Sequence, residues 1–395
     1  MSLEFLTVLP NQLADQADAI FRRFSEATGV AVQGTYTGWN SIWQELVQTG
    51  IYKRGPDLAE PGSTWLESLV EMNVLRPFTK TEIDRLGGET AFIPSSWKGV
   101  VYGKEEQVWG IPSRVDPRVI YYWKDMLEEA RLNPEESFSS LGQFPAAFEK
   151  LRKVVDTPWV TATSPNDPAT IQTLSSWVWD VDGAFVSPNG KQVAFMEPAA
   201  LDAIVAYFDL HRFMPRRSDV SGLSVSEIFI QRKVAAVIGG SWVWTNLQNA
   251  GIPPDMMAKI GILPVPAPGF LGGMNLVVFH HTQQEENAVH FIEYLSKPQV
   301  QMAYAPLVGL LPSRLAAWEM EPYSSDPILQ TMYQSIQRSR SFPMIPLWGT
   351  VESRMIKAIG LIWNDLLAGE TANTRQIVQK HLSPLASRLN FALDR

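Results

Sequence analysis

The sequence predicts an α/β protein of two domains built on open parallel sheet, and three observations carry that prediction. Strand-like and helix-like segments alternate through the first half of the chain, the pattern of βαβ units. At 395 residues the chain is too long for one small core. It shows no internal repeat and no low-complexity linker, so two domains would be woven from a chain that passes between them.

The elements follow in order. Phe5-Leu6-Thr7-Val8-Leu9 reads as a strand, followed by a helix from about Gln12 to Thr28 that Gly29 closes. Val30-Ala31-Val32 opens a second strand. Ser41 with Gln44, and Thr64 with Glu67, have the spacing of capping boxes and predict helix starts. Between them Gly55-Pro56-Asp57-Leu58-Ala59 is a turn and a short strand. Further strands are expected at Val108–Pro112, Val119–Trp123, Val234–Ile238 and Leu276–Phe279, and helices at about Pro145–Val155, Thr170–Trp179 and Pro198–Phe213. The last 120 or so residues read as helices. In an open parallel sheet, ligands bind beyond the C-terminal strand ends. Pro10-Asn11, Trp39-Asn40 and Glu60 to Trp65 fall there.

Composition removes several functions. Hydrophobic residues at 45% and charged ones at 19% mark a globular chain. A net charge of −8 argues against a nucleic-acid surface or an anionic membrane. No apolar run approaches the ~20 residues of a membrane span. The N-terminus enters a strand at once without signal-peptide anatomy, which leaves a cytoplasmic protein or a removed leader as the two readings. With no cysteine there is no disulfide, zinc ribbon or thiol chemistry.

The usual catalytic signatures are missing: no G-x-S-x-G, H-E-x-x-H, Walker A or G-x-G-x-x-G. His280-His281 reads as a solvated strand end rather than a metal site, and Asp180-Val181-Asp182-Gly183 as a turn. No metal or cofactor is expected. Two distant carboxylates could still assemble into a glycoside-cleaving pair, so a glycoside-active enzyme stays as the minor alternative. Tryptophan is the unusual count, 14 residues. Core filling accounts for most of them, but several stand at loops and helix starts. Aromatic faces beside amides and hydroxyls suit a sugar, whose ring packs on an aromatic while its hydroxyls take directional bonds.

An ordered series of segments then resembles the family 1 extracellular solute-binding proteins, the maltose-binding-protein-like sugar receptors of ABC importers. The segments are Pro56-Asp57-Leu58 with Trp65 and the run to Pro77; Val108-Trp109-Gly110-Ile111-Pro112 with Asp116, Tyr121-Tyr122 and Lys124-Asp125; Phe229 to Trp242; Gly261 to Gly273; Phe291 to Ser296; and Leu310-Leu311-Pro312-Ser313-Arg314. Gln231-Arg232 stands where the family has Gly-Lys.

The resemblance implies a type II periplasmic-binding fold: two α/β lobes, a three-crossing hinge and ligand in the interlobe cleft. It implies crossings near Val115, Leu271–Asn275 and Pro312–Trp318. One lobe is then 1–114 plus 275–314, the other 115–274 plus 315–395. The function implied is capture of a sugar or oligosaccharide for an ABC-type permease, without catalysis, by a monomer that is periplasmic or extracellular and in some cases lipid-anchored. A phosphorylated polyol, a polyamine or ferric iron is the alternative solute.

The site residues implied are as follows. Asp116 follows the first crossing as a carboxylate for sugar hydroxyls, with a salt bridge to Arg114 or Arg118 as its other reading. Trp242 stands at the family's stacking tryptophan, with Ser241 beside it as contact or N-cap. Asn11, Trp39, Asn40, Thr64 and Trp65 belong to the strand-end loops. Asn275 adjoins the Gly272-Gly273 hinge, and Trp348 and Glu352 share a helix face. Arg114 would meet a carboxylate or phosphate, while Asn166 and Trp177 are candidates from the second lobe.

Overall fold

Strand and helix alternate from the N-terminus as the hydrophobic pattern requires. The computed structural model describes residues 2–103, 105–369 and 373–394, and of Asn40 the backbone alone. In chain order the strands are β1 (Leu3–Val8), β2 (Val32–Thr37), β3 (Leu58–Ala59), β4 (Val101–Tyr102), β5 (Gln107–Val108) and β6 (Ile111–Pro117). They continue as β7 (Val119–Trp123), β8 (Ala236–Gly239), β9 (Ile260–Pro264), β10 (Leu271–Val278) and β11 (Leu311–Pro312). The chain gathers into two compact units. The first is Met1–Asp116, Leu271–Gln330 and Ser341–Gly349; the second is Pro117–Phe270, Thr331–Arg340 and Thr350–Arg395. The stretch Pro312–Trp318 stays within the first unit, where the Trp318 indole donates to the Pro312 carbonyl at 3.1 Å and its ring packs on Tyr323.

In the first unit a six-stranded sheet runs in the order β11-β6-β10-β3-β1-β2, with β4 and β5 as a separate hairpin. The expected parallel arrangement holds for β1, β2 and β3. β10 is antiparallel to β3, and β11 to β6. A strand need not follow a crossover helix when the chain re-enters the sheet from elsewhere, which is how β10 arrives. The helix after β1 spans Ala14–Thr28 and ends on Gly29, whose φ of 76° lies where a glycine costs least. Its buried face (Ala17, Ile20, Phe21, Phe24) meets Phe5 and Phe291 in edge-to-face and tilted ring contacts 5.1–5.6 Å apart.

Both capping boxes expected from the sequence fail. The helix after β2 begins at Trp39, directly behind the strand, with Gly38 as its N-cap. Ser41 therefore falls inside the first turn. Thr64 lies in a 3-10 turn, Ser63–Trp65, and the helix that follows starts only at Leu66. Hydroxyl–carboxamide spacing is common by chance, and how soon the chain turns after a strand decides where a helix starts. Capping boxes do form at Thr79/Glu82 and Asn373/Gln376.

The second unit holds a three-stranded antiparallel sheet, β8-β7-β9, another departure from the parallel expectation. Its register brings Tyr122 opposite Gly261, where a side chain would collide with the tyrosine ring. Helices Phe144–Leu151, Ala169–Asp180 and Pro198–Phe208 enclose an aromatic core. There Phe148 stacks on Trp159 at 5.2 Å, and Tyr207 meets both Trp177 and Trp363. No helix among the described residues is long and apolar enough to cross a membrane.

Candidate functional site

The C-terminal ends of the parallel strands deliver three tryptophans to one place on the first unit. Trp39 is the first residue of the helix behind β2, Trp43 lies one turn further on the same face, and Trp65 closes the 3-10 turn after β3. The Trp65 ring meets Trp39 edge-on at 5.8 Å and Trp43 at 5.7 Å with a 56° tilt. Gly62 lets them approach: a Cβ there would stand 3.3 Å from the Trp39 ring and 3.5 Å from Trp65. Trp39 remains 48% and Trp43 36% exposed. An isolated exposed aromatic is ordinary; two exposed rings joined through Trp65 at the C-terminal strand ends of an α/β sheet form a platform. Asn11 lies nearby in sequence order, exposed in the 3-10 turn after β1. The side chain of Asn40 lies outside the described residues.

Ser63 and Thr64 of the Ser63–Trp65 turn line a small cavity of about 20 Å³ together with Ser96, Arg114, Asn275 and Trp348. Arg114 is fully buried. Its Nε donates to Glu60 Oε1 at 2.9 Å, and Nη2 donates to Glu60 Oε2 and to Thr7 Oγ1 at 3.0 Å. The Thr7 hydroxyl donates to Glu60 Oε2 at 2.6 Å and the Tyr304 hydroxyl to the same oxygen at 3.1 Å. Tyr304 also lays its ring 4.3 Å from the guanidinium carbon. Burial works against the cation, but Glu60 outweighs it and holds Arg114 above its ordinary pKa. Burial likewise pushes the Tyr304 phenol far up, so it stays neutral. Glu60 is thus the partner of Arg114.

Two donors beside this network have no hydrogen-bond partner among the described residues: Arg114 Nη1 and Asn275 Nδ2, both buried. The backbone of Asn275 is fixed by its N–H donating to Pro61 O at 3.1 Å. Trp348 is 1% exposed and packs on Phe342 at 4.7 Å. Its helix start is held by Glu67, a buried carboxylate that accepts the Leu347 N–H at 3.0 Å. Leu347 itself takes a left-handed φ of 67°. Burial raises the Glu67 pKa, against the hydrogen bonds it accepts. Asp116 is buried at the end of β6.

The remaining candidates lie in the second unit. Trp242 opens a helix, and its ring lies 3.5 Å from where a Gly222 Cβ would be. The Gly222 N–H donates to Asp167 Oδ2 at 2.8 Å, which ties that turn to the loop carrying exposed Asn166. Ser241 occupies the N-cap position, but its side chain does not cap the helix. Trp177 is 4% exposed between Phe144 and Tyr207, the surroundings of a core ring. Glu352 is buried one turn after Trp348 along the same helix.

Sequence reasoning misses Trp43, although it lies at i+4 from Trp39, because the Ser41–Gln44 spacing reads as a cap. It also misses Glu60, Thr7 and Tyr304. Tyr304 is 244 residues from Glu60, a separation no local pattern bridges. No cluster of three metal-ligating side chains occurs among the described residues.

Residues 19–331 match the family described as "Bacterial extracellular solute-binding protein". The diacetylchitobiose binding protein DasA of Streptomyces coelicolor is 21% identical over 86% of this chain and 78% of that protein. The sugar-binding protein MalE of Xanthomonas citri superposes with a TM-score of 0.82 at 21% identity, over 100% of this chain and 97% of that one. UgpB of Mycobacterium tuberculosis, solved with glycerophosphocholine, superposes with a TM-score of 0.81 at 17% identity, over 100% and 99%. At these identities the structural likenesses establish the fold: mixed α/β in two lobes.

Proposed function

Because this chain belongs to the bacterial extracellular solute-binding protein family, we propose that it captures a sugar or oligosaccharide outside the cytoplasmic membrane and passes it to an ABC-type permease. The single observation that carries the sugar reading is the contact of Trp65 with the exposed rings of Trp39 and Trp43 at the C-terminal strand ends. A pyranose presents a C–H face that such rings bury, and hydroxyls for amides and side-chain oxygens at the rim. Family members and structural neighbours are substrate-binding components of transporters, and this chain is read as a binder without catalysis.

Each unit carries candidate contacts in this proposal. A ligand shifts the open-to-closed balance only through contacts that one state offers and the other lacks. Trp242 with Ser241, Asn166 and Glu352 would be the second unit's contribution, and Asp116 and Asn275 the residues nearest the crossings. A phosphorylated polyol is the second reading, supported by the likeness to UgpB, solved with glycerophosphocholine. Titrating intrinsic tryptophan emission with mono- and oligosaccharides tests the proposal. A shift or quench that saturates is expected. A broad panel that changes neither emission nor melting temperature overturns it.

A further inference from the structure

We propose that the small cavity beside the Ser63–Trp65 turn receives one uncharged oxygen of the bound solute, a hydroxyl or carbonyl, and turns away phosphorylated solutes. The inference rests on the sugar reading above and narrows its substrate class.

Arg114 invites the opposite conclusion, since a buried guanidinium is the usual partner of a phosphate. Its electrostatics are already settled inside the protein. Nε and Nη2 face both oxygens of Glu60, so the cation has a full counter-charge at contact distance. Thr7 and Tyr304 both donate to Oε2 of that carboxylate. A phosphate brought to Nη1 would meet a pair with no net charge and the Glu60 carboxylate behind it. The protein would have to strip the anion of water without supplying charge in return.

Yet Arg114 keeps two unused N–H groups on Nη1, and Asn275 keeps the donors of Nδ2. Buried donors without acceptors are rare and costly. The cavity that both residues line holds about 20 Å³, room for one water-sized oxygen. The Trp348 ring makes part of the wall, and the chain from Thr64 leads directly to Trp65. A ring resting on the platform would thus have a polar socket within the same turn, and that socket accepts an oxygen lone pair.

Three proteins (wild type, Asn275→Ala and Asn275→Asp) are titrated by calorimetry with maltose, N,N′-diacetylchitobiose and glycerophosphocholine, after matched circular dichroism and melting curves show that each folds. The expected result is that wild type binds a sugar and not glycerophosphocholine. Asn275→Ala should then weaken that sugar about tenfold, the loss of one buried hydrogen bond. Asn275→Asp should weaken it at least as much, because a carboxylate faces the ligand oxygen. Sugar binding unchanged in both variants overturns the socket while leaving the sugar reading intact. Tight binding of glycerophosphocholine with no sugar binding overturns both, as does a wild type that binds none of the three. If Asn275 variants are unstable, a crystal structure of the wild type with the bound sugar decides. A ligand oxygen within hydrogen-bond distance of Arg114 Nη1 and Asn275 Nδ2 supports the socket, and a retained water there overturns it.

Discussion

Replacing Glu60 by alanine should be among the most damaging single changes in the first unit, although the residue lies in a short loop after a two-residue strand. Both partners are fully buried, with Nε of Arg114 2.9 Å from Glu60 Oε1. At that separation two unit charges attract by about 6 kcal/mol for an effective dielectric of about 20. That gain is offset by what burial of both ions costs, so the pair itself adds little net stability. Removing one member is different. Arg114 would remain buried with no counter-charge, and Thr7 and Tyr304 would lose their shared acceptor. Breaking a buried pair in this way costs about 3–5 kcal/mol. The double variant Glu60→Met/Arg114→Met leaves no orphan charge and conserves volume, so it should recover most of the loss. Urea unfolding followed in parallel by circular dichroism and tryptophan fluorescence measures this, since a protein of two units need not unfold in one step. The reasoning is refuted if Glu60→Ala stays within about 1 kcal/mol of wild type, the range of a surface change. It is refuted equally if the double variant is no better than the single one.

Three further outcomes are expected. Trp39→Ala removes an exposed ring, so melting should barely change while sugar affinity falls about tenfold, roughly 1.4 kcal/mol of lost stacking area; unchanged affinity would show that the platform is not the binding surface. Gly273→Ala should destabilise strongly, because φ is 145° and a Cβ would stand 2.0 Å from the Arg114 carbonyl oxygen. Gly251→Ala, with φ of 65° and open space around it, should cost only about 1 kcal/mol, and equal effects would contradict the steric account. Burial opposes ionisation of Glu82, but Arg76 and the Thr79 N–H outweigh it and hold its pKa below the usual value. Its contribution is therefore present above the ordinary carboxylate range and lost as pH falls through the lowered value. Urea midpoints from pH 6 to pH 3 should drop more steeply for wild type than for Glu82→Gln, and parallel curves would remove Glu82 from the acid response.

The parts of this protein that were legible in its sequence are those governed by local pattern. Alternating apolar residues located β1, β7 and β8, and the Gly29 stop fixed the end of the first helix. The strand-end rule points to Trp39 and Trp65 from sequence position alone. Strand direction was not legible, because β10 joins β3 after a detour of some two hundred residues and antiparallel pairing there obeys no local signal. Nor was the fate of Arg114: a charged residue in an apolar run reads equally as a ligand contact or half of a buried pair, and only Glu60, 54 positions away, decides. The two capping boxes failed for a related reason, since chain geometry after the strand sets where each helix begins.

The division of the tryptophans has an experimental use. Trp97, Trp123, Trp159, Trp177, Trp179, Trp318, Trp348 and Trp363 are buried, none more than 7% exposed, eight of the fourteen. Acrylamide or iodide in solution can reach only the others. Half of those six stand in the platform, and Trp65 is covalently next to Thr64 in the cavity wall. The molecule therefore carries its own optical gauge: loss of quencher access on adding a solute would count the rings that the solute covers, with no label attached.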